Sequence, residues 1–165
     1  MIENSESPAP WQDSNWIVRS ALLLNSFEHW TGRSLIVRKS PEADSERLFS
    51  APFVVVAHGT EADPLLNYGN QTALDLWLMS LADFIGTPSR MTAEPMHRDE
   101  RARLLERTRQ HGYIDDYSGI RIASTGQRFR IHQATVWNVI DEHDAVVGQA
   151  AAFAEWTMIM PECRE

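Results

Sequence analysis

The chain has 165 residues, 43% of them hydrophobic and 23% charged, a balance that builds a globular core without disulfide or metal staples. A formal charge of −8 and a pI near 5.2 argue against sequence-independent nucleic-acid binding, which needs a net basic face, and a single cysteine, Cys163, leaves no internal disulfide and no multi-cysteine metal site. No apolar run reaches the length of a membrane helix and the first ten residues have no apolar core, so a cytoplasmic protein without nucleic-acid or membrane partners is expected.

Residues 1–13 are rich in Ser, Pro and Glu and are expected to be flexible. A helix starts at Asp13 or Ser14, either of which can cap it. Its apolar stripe runs through Trp16, Ser20, Leu23, Leu24, Phe27 and Trp30, and Gly32 is placed to end it as a left-handed cap. That amphipathic stripe either covers the core of its own domain or forms the contact of a homodimer. The rest of 14–47 reads as a polar linker around Ser40-Pro41-Glu42-Ala43-Asp44-Ser45, with Leu48 and Phe49 opening a packed core over 48–157.

Phe53-Val54-Val55-Val56-Ala57 is short, continuous and β-branched, the pattern of a strand buried on both faces. His58 to Pro64 makes a turn. Leu65 to Tyr68 then suits a second strand, Gly69 a position that needs glycine's backbone freedom, and Asn70 the cap of a helix that puts Leu74 and Trp77 on one face. Short helical pieces around Met79, Leu81, Phe84 and Ile85 lead into a loop over 88–95.

A helix from Arg98 to His111 carries a narrow apolar side of Ala102, Leu104, Leu105 and Thr108, and Gly112 stops it. Three strands follow: Tyr113 to Ala123, Arg128 to Ile140 and Val146 to Trp156. On the second, strict alternation puts Phe129, Ile131, Gln133, Thr135, Trp137 and Val139 on one face. Residues 158–165 are left as a tail. This order predicts an α+β fold: a five-stranded antiparallel sheet with helices on one face, preceded by the N-terminal amphipathic helix.

The order resembles the PAS sensor fold, with Asn67-Tyr68-Gly69-Asn70, Ala73, Leu74 and Trp77 where PAS domains carry a strand and helix around an Asn. A closer resemblance is to the MEKHLA domain family, a PAS-related group. It is carried by Ala51-Pro52-Phe53-Val54-Val55, His58-Gly59-Thr60-Glu61-Ala62-Asp63-Pro64 and Leu66-Asn67-Tyr68-Gly69-Asn70. It continues through Pro88 to Pro95, Asp115-Asp116-Tyr117-Ser118-Gly119-Ile120-Arg121-Ile122, Ala134-Thr135-Val136-Trp137-Asn138 and Gly148-Gln149-Ala150-Ala151. In plants such domains end certain homeodomain–leucine zipper regulators, while bacterial members can stand alone, and a bacterial stand-alone member is what the resemblance leads one to expect here; nothing in the sequence resembles a homeodomain, a zipper or a kinase.

The resemblance implies a sensory or regulatory domain that binds a small molecule or mediates protein contacts. A pocket between helices and sheet is expected, with Tyr68, Trp77, Tyr117 and Trp137 as walls. His58, Asn67, Asn70, Arg90, Arg121 and Gln149 are its candidate polar points, Asn70 being foremost a capping latch. Arg121 interrupts an apolar run, so it either faces water or meets a buried anion. Photoactive flavin chemistry needs a cysteine among the helices, and only Cys163 exists. Non-covalent flavin would use the amides of Asn138 and Gln149; haem would use His97 or His111.

His58, Glu61 and Asp63, like Glu94, His97 and Asp99, lack the spacing that fixes two metal ligands on one face. Asp115 and Asp116 are adjacent on a strand, point to opposite faces and cannot form a dyad. The chain is therefore expected not to be an enzyme. A pure dimerisation module with a packed interior remains open. So does an α+β enzyme of the nuclear-transport-factor-2-like shape, which would hold a carboxylate or histidine of shifted pKa deep in its pocket.

Overall fold

A computed structural model describes residues 8–160. Helix α1 (Ser14–Thr31) starts where the Asp13 carboxylate accepts the Trp16 amide hydrogen, and it stops at Gly32, whose φ of 68° is the anticipated left-handed cap. Order begins earlier than residue 14. Pro10–Gln12 form a 3-10 turn, and the Trp11 ring lies 5.4 Å from that of Phe49. The expectations for residues 1–7 and for Cys163 fall outside the described residues.

Residues 33–47 are not a plain linker. Pro41–Phe49 is a helix, α2, capped by the Ser40 hydroxyl with proline in its first turn, where a missing N–H costs nothing. Asp44 is buried in it, accepting from the Lys39 amide at 2.7 Å and from Arg38 at 2.8 Å. Leu48 and Phe49 are buried at its end.

Strands β1 (Val54–His58), β2 (Leu66–Gly69), β3 (Tyr113–Ile122), β4 (Arg128–Ile140) and β5 (Val146–Phe153) form an antiparallel sheet in the order β2-β1-β5-β4-β3. A sixth strand, β6 (Glu155–Ile159), pairs with the first half of β4, while β5 pairs with its second half. The single last strand expected from Val146 to Trp156 is thus broken at Ala154, and five lanes carry six strands. The tail begins after β6.

The break has a counterpart in β4. Gln133 sits at φ 47°, in the left-handed region, beside a register shift against β3. A residue inserted there reverses the alternation downstream. Phe129, Ile131, Ala134 and Val136 pack on one side of the sheet, Trp137 and Val139 on the other. The single face expected for Phe129 through Val139 is therefore corrected.

Helices α3 (Gln71–Trp77), α4 (Leu81–Phe84) and α5 (Arg98–His111) cover the first side. Helix α1 covers the second with its own stripe: Trp16 stacks on Tyr68 at 4.7 Å and Phe27 meets Trp137 edge-on at 5.1 Å. Of the two readings of that stripe, covering its own core is the one realised. Gly69 is glycine for a different reason than expected. Its φ is not positive, but a Cβ there would come within 2.6 Å of the Phe84 ring.

Candidate functional site

Between the sheet and α3–α5 lies a cavity of about 80 Å³. Its walls are mostly apolar, including Leu66, Phe84, Leu104, Ile131, Val136 and Phe153. Set among them are His58 from the end of β1, Trp77 from α3, Arg101 from α5, Tyr117 and Arg121 from β3, and Gln149 from β5. Five of these six were anticipated as site residues: His58, Trp77, Tyr117, Arg121 and Gln149.

Their polar groups differ in commitment. The Gln149 amide donates to the Leu105 carbonyl at 2.9 Å and to Asn138 Oδ1 at 3.1 Å, and the Asn138 amide donates to the Thr108 and Arg109 carbonyls. This pair braces the end of α5 against the sheet. By contrast, His58 Nε2, the Tyr117 hydroxyl and Trp77 Nε1 are buried and have no hydrogen-bond partner among the described residues. A carbonyl oxygen only accepts, so the 2.9 Å contact of His58 Nδ1 with the Gly59 carbonyl puts the proton on Nδ1 and the lone pair on Nε2. Burial pushes the His58 pKa below its ordinary 6.5; the charge on Arg101 adds to this, against the Gly59 carbonyl and Glu61.

Arg121 answers the choice left open by its position in the strand. It is 7% exposed, on the cavity side, with its guanidinium 5.5 Å from the centre of the Tyr117 ring and Nη1 donating to the Ile120 carbonyl. Arg101 is 9% exposed and donates to the Ser89 hydroxyl. Neither arginine has a carboxylate within 4.0 Å among the described residues, whereas Arg38 has both Glu28 and Asp44.

The other anticipated residues lie elsewhere. Tyr68 and Trp137 are on the α1 side of the sheet, Trp137 donating to the Leu23 carbonyl at 3.2 Å. For Trp137 the cause is the alternation reversed at Gln133. Asn67 does not line the cavity, although its Oδ1 is buried without a partner. Arg90 is exposed and paired with Asp63 at 3.2 Å. Asn70 is the latch: Oδ1 accepts from the Val55 and Ala73 amides, and Nδ2 donates to the Leu48 and Phe53 carbonyls. Asp115 and Asp116 are both exposed, beside a register shift between Ile114 and Tyr117, and neither lines the cavity.

Arg101 was missed. The sequence pattern predicts an apolar side of α5 made of Ala102, Leu104, Leu105 and Thr108, but Ala102 is exposed and Arg101, Leu104 and Thr108 are buried. Spacings of three and four from Arg101 to Leu104 and Thr108 were the available signal. His111 is exposed, and neither it nor His97 lines the cavity; the described residues contain no group of three or more metal-ligating side chains that could hold a metal ion.

The model of the MEKHLA domain family matches residues 17–158. Two Arabidopsis thaliana proteins, homeobox-leucine zipper proteins ATHB-9 and ATHB-14, are each 26% identical, over 87% and 61% of this chain. The chain spans only 17% and 12% of those relatives. Among solved structures, the PAS domain of a Colwellia psychrerythraea protein is similar at a TM-score of 0.59 and 14% identity, over 72% of this chain and 95% of that one. An RNA-binding light-oxygen-voltage receptor gives 0.58 at 14%, over 73% and 35%. A light-oxygen-voltage domain studied with a flavin analogue gives 0.53 at 16%, over 72% and 85%. These likenesses establish a PAS-like fold.

A flavin does not fit the cavity as it stands. About 80 Å³ is well below the roughly 300 Å³ at which drug-sized pockets begin, and the amides of Asn138 and Gln149 are committed to α5.

Proposed function

Since this chain belongs to the MEKHLA domain family, we propose that it is a sensory domain whose cavity between sheet and helices binds a small molecule and whose occupancy is read by a partner protein. One observation carries this reading: three polar groups of the cavity lining, from His58, Trp77 and Tyr117, are buried without partners. Buried polar groups of native proteins are nearly always satisfied, so such a cluster marks a place where an absent group supplies the partners. A fully packed interaction module would not have this cavity.

The enzyme alternative called for a deep titratable group, and His58 is one. It lacks the carboxylate that would orient it, because Nδ1 is tied to a backbone carbonyl. The binding reading is therefore preferred. Native mass spectrometry of protein purified without added ligand tests it. A species heavier than the 18.8 kDa chain is expected, lost on unfolding and exchangeable. Bare chain alone, unaffected by any small-molecule mixture, would sink the reading.

Homodimerisation through α1 belongs to the same proposal, but by the outer face of that helix. Val18 is 61% exposed there, and Ile17, Ala21 and Leu22 line a surface groove with it. Val18→Glu is expected to convert a dimer to a monomer in light scattering. A monomeric wild type removes the idea.

A further inference from the structure

We propose that the cavity is an anion site, built for a short-chain organic carboxylate whose charge is held between Arg101 and Arg121. This rests on the small-molecule reading above and goes on to say which chemistry the molecule carries.

The two guanidiniums reach the same cavity from different elements, α5 and β3, and each side chain's residue is more than nine-tenths buried. Each offers five N–H donors. The protein accounts for few of them: Arg101 donates to the Ser89 hydroxyl, and Arg121 donates to the Ile120 carbonyl and lies over the Tyr117 ring. A buried cation without a counter-charge is costly, and two beside each other repel as well. The acid whose charge acts on Arg101 is Asp63, which is itself exposed and paired with Arg90 at 3.2 Å. Burial and then the charge of Arg121 bring the Arg101 pKa down to about 10, so Arg101 remains charged at neutral pH.

Elsewhere the chain supplies acids where an arginine is structural. Arg38 ties Glu28 and Asp44 together at 2.9 and 2.8 Å. At the cavity the counter-charge is left to be supplied from outside. A carboxylate meets this need, since its two oxygens match the fork of a guanidinium.

The remainder of the lining describes the rest of the molecule. Apolar walls from Leu104, Ile131, Val136 and Phe153 suit a hydrocarbon body. The His58 Nε2 lone pair and the Tyr117 hydroxyl are placed to read a second polar group, such as a hydroxyl. Size limits the body. A cavity of about 80 Å³ is roughly half the 150 Å³ that admits benzene, which points to about two to four carbons.

The experiment is a titration of the whole chain, followed by thermal shift and calorimetry. The probes are the sodium salts of acetate, propanoate, butanoate and lactate, the uncharged propanamide and butanamide, and sodium chloride and phosphate at matched ionic strength. At least one carboxylate is expected to raise the Tm and bind saturably, with its amide and the inorganic salts without effect. Arg121→Gln and Arg101→Gln are each expected to weaken that binding by about tenfold or more, the scale of one charge-assisted hydrogen bond. Arg90→Gln, at an exposed pair, is expected to leave it unchanged. Without ligand, Arg121→Gln is expected to melt no lower than wild type, since it removes an uncompensated charge; a lower Tm with unaltered binding would assign Arg121 a structural role and overturn the proposal. An equal response to chloride or phosphate would also overturn it, as would binding unaffected in both arginine variants. A neutral molecule found by native mass spectrometry, with no carboxylate binding, would remove the anion inference and leave the sensor reading standing. Bare chain with no binding of any probe would remove both.

Discussion

Asn70 shows how much one side chain holds. Its four hydrogen bonds tie β1, the end of α2 and the first turn of α3 at a single buried point. Truncation to alanine leaves the Val55 amide and two carbonyls without their partner, so Asn70→Ala is expected to cost about 2–4 kcal/mol in denaturant unfolding. Asn70→Asp keeps the acceptor and loses both donors, and is expected to cost a comparable amount. His58 gives a second prediction. Its pKa is lowered in the folded state, mainly by burial, so the unfolded chain takes up its proton first as pH falls. The stability linked to it is fully present above pH 6.5 and is lost as pH falls below that value. Between about pH 7.5 and pH 5 the wild-type Tm is therefore expected to fall more than that of His58→Gln. Equal slopes would show that the imidazole titrates as it does in water.

At the scale of the element, the left-handed residue of β4 decides which side chains meet. Gln133, at φ 47°, reverses the strand's alternation, so Trp137 faces α1 while Val136 and Asn138 face the other helices. Left-handed backbone costs a non-glycine residue about 1–2 kcal/mol. Gln133→Gly is expected to stabilise the fold by up to about 1 kcal/mol, whereas β-branched Gln133→Val is expected to destabilise it; the denaturation midpoint reads both. The second helix carries a different lesson. Ser40-Pro41-Glu42 looked like loop composition, yet serine before proline before acid is also how a helix starts. What separates the two readings is Asp44, buried beneath Arg38 and the Lys39 amide, a contact that no local pattern announces.

For the whole molecule, the sheet is covered on both sides, and the cavity that holds two buried arginines lies under α3–α5. The α1 side is filled by Leu23, Leu24, Phe27, Tyr68 and Trp137, and Trp16 stacks over Tyr68. Trp16→Asp combined with Phe27→Asp, which would probe a dimer seam if the stripe were free, is expected instead to unfold the domain. Each change removes an aromatic that packs against the sheet, at about 3–5 kcal/mol apiece, so circular dichroism should show loss of the cooperative melt. A folded double variant would mean that α1 is dispensable to the core. The opposite side keeps its cavity with two arginines inside, where repulsion and desolvation oppose closer packing unless an anion enters.

Hydrophobic periodicity, caps and turn residues by themselves determined the order of elements, the antiparallel sheet, the ends of α1 and the latch at Asn70. Those features are local: each rests on residues a few positions apart. The resemblance to PAS-like domains, rather than these local signals, grouped His58, Trp77, Tyr117, Arg121 and Gln149 around one volume. The local signals failed for Trp137 and for Arg101 in different ways. A one-residue irregularity in a strand inverts every assignment after it, and an arginine on a helix carries no mark of the surface it will meet. Only the tertiary structure decided that two arginines share one cavity with no carboxylate of the described residues within 4.0 Å of either, because the absence of a partner belongs to the space around a residue and not to its place in the chain.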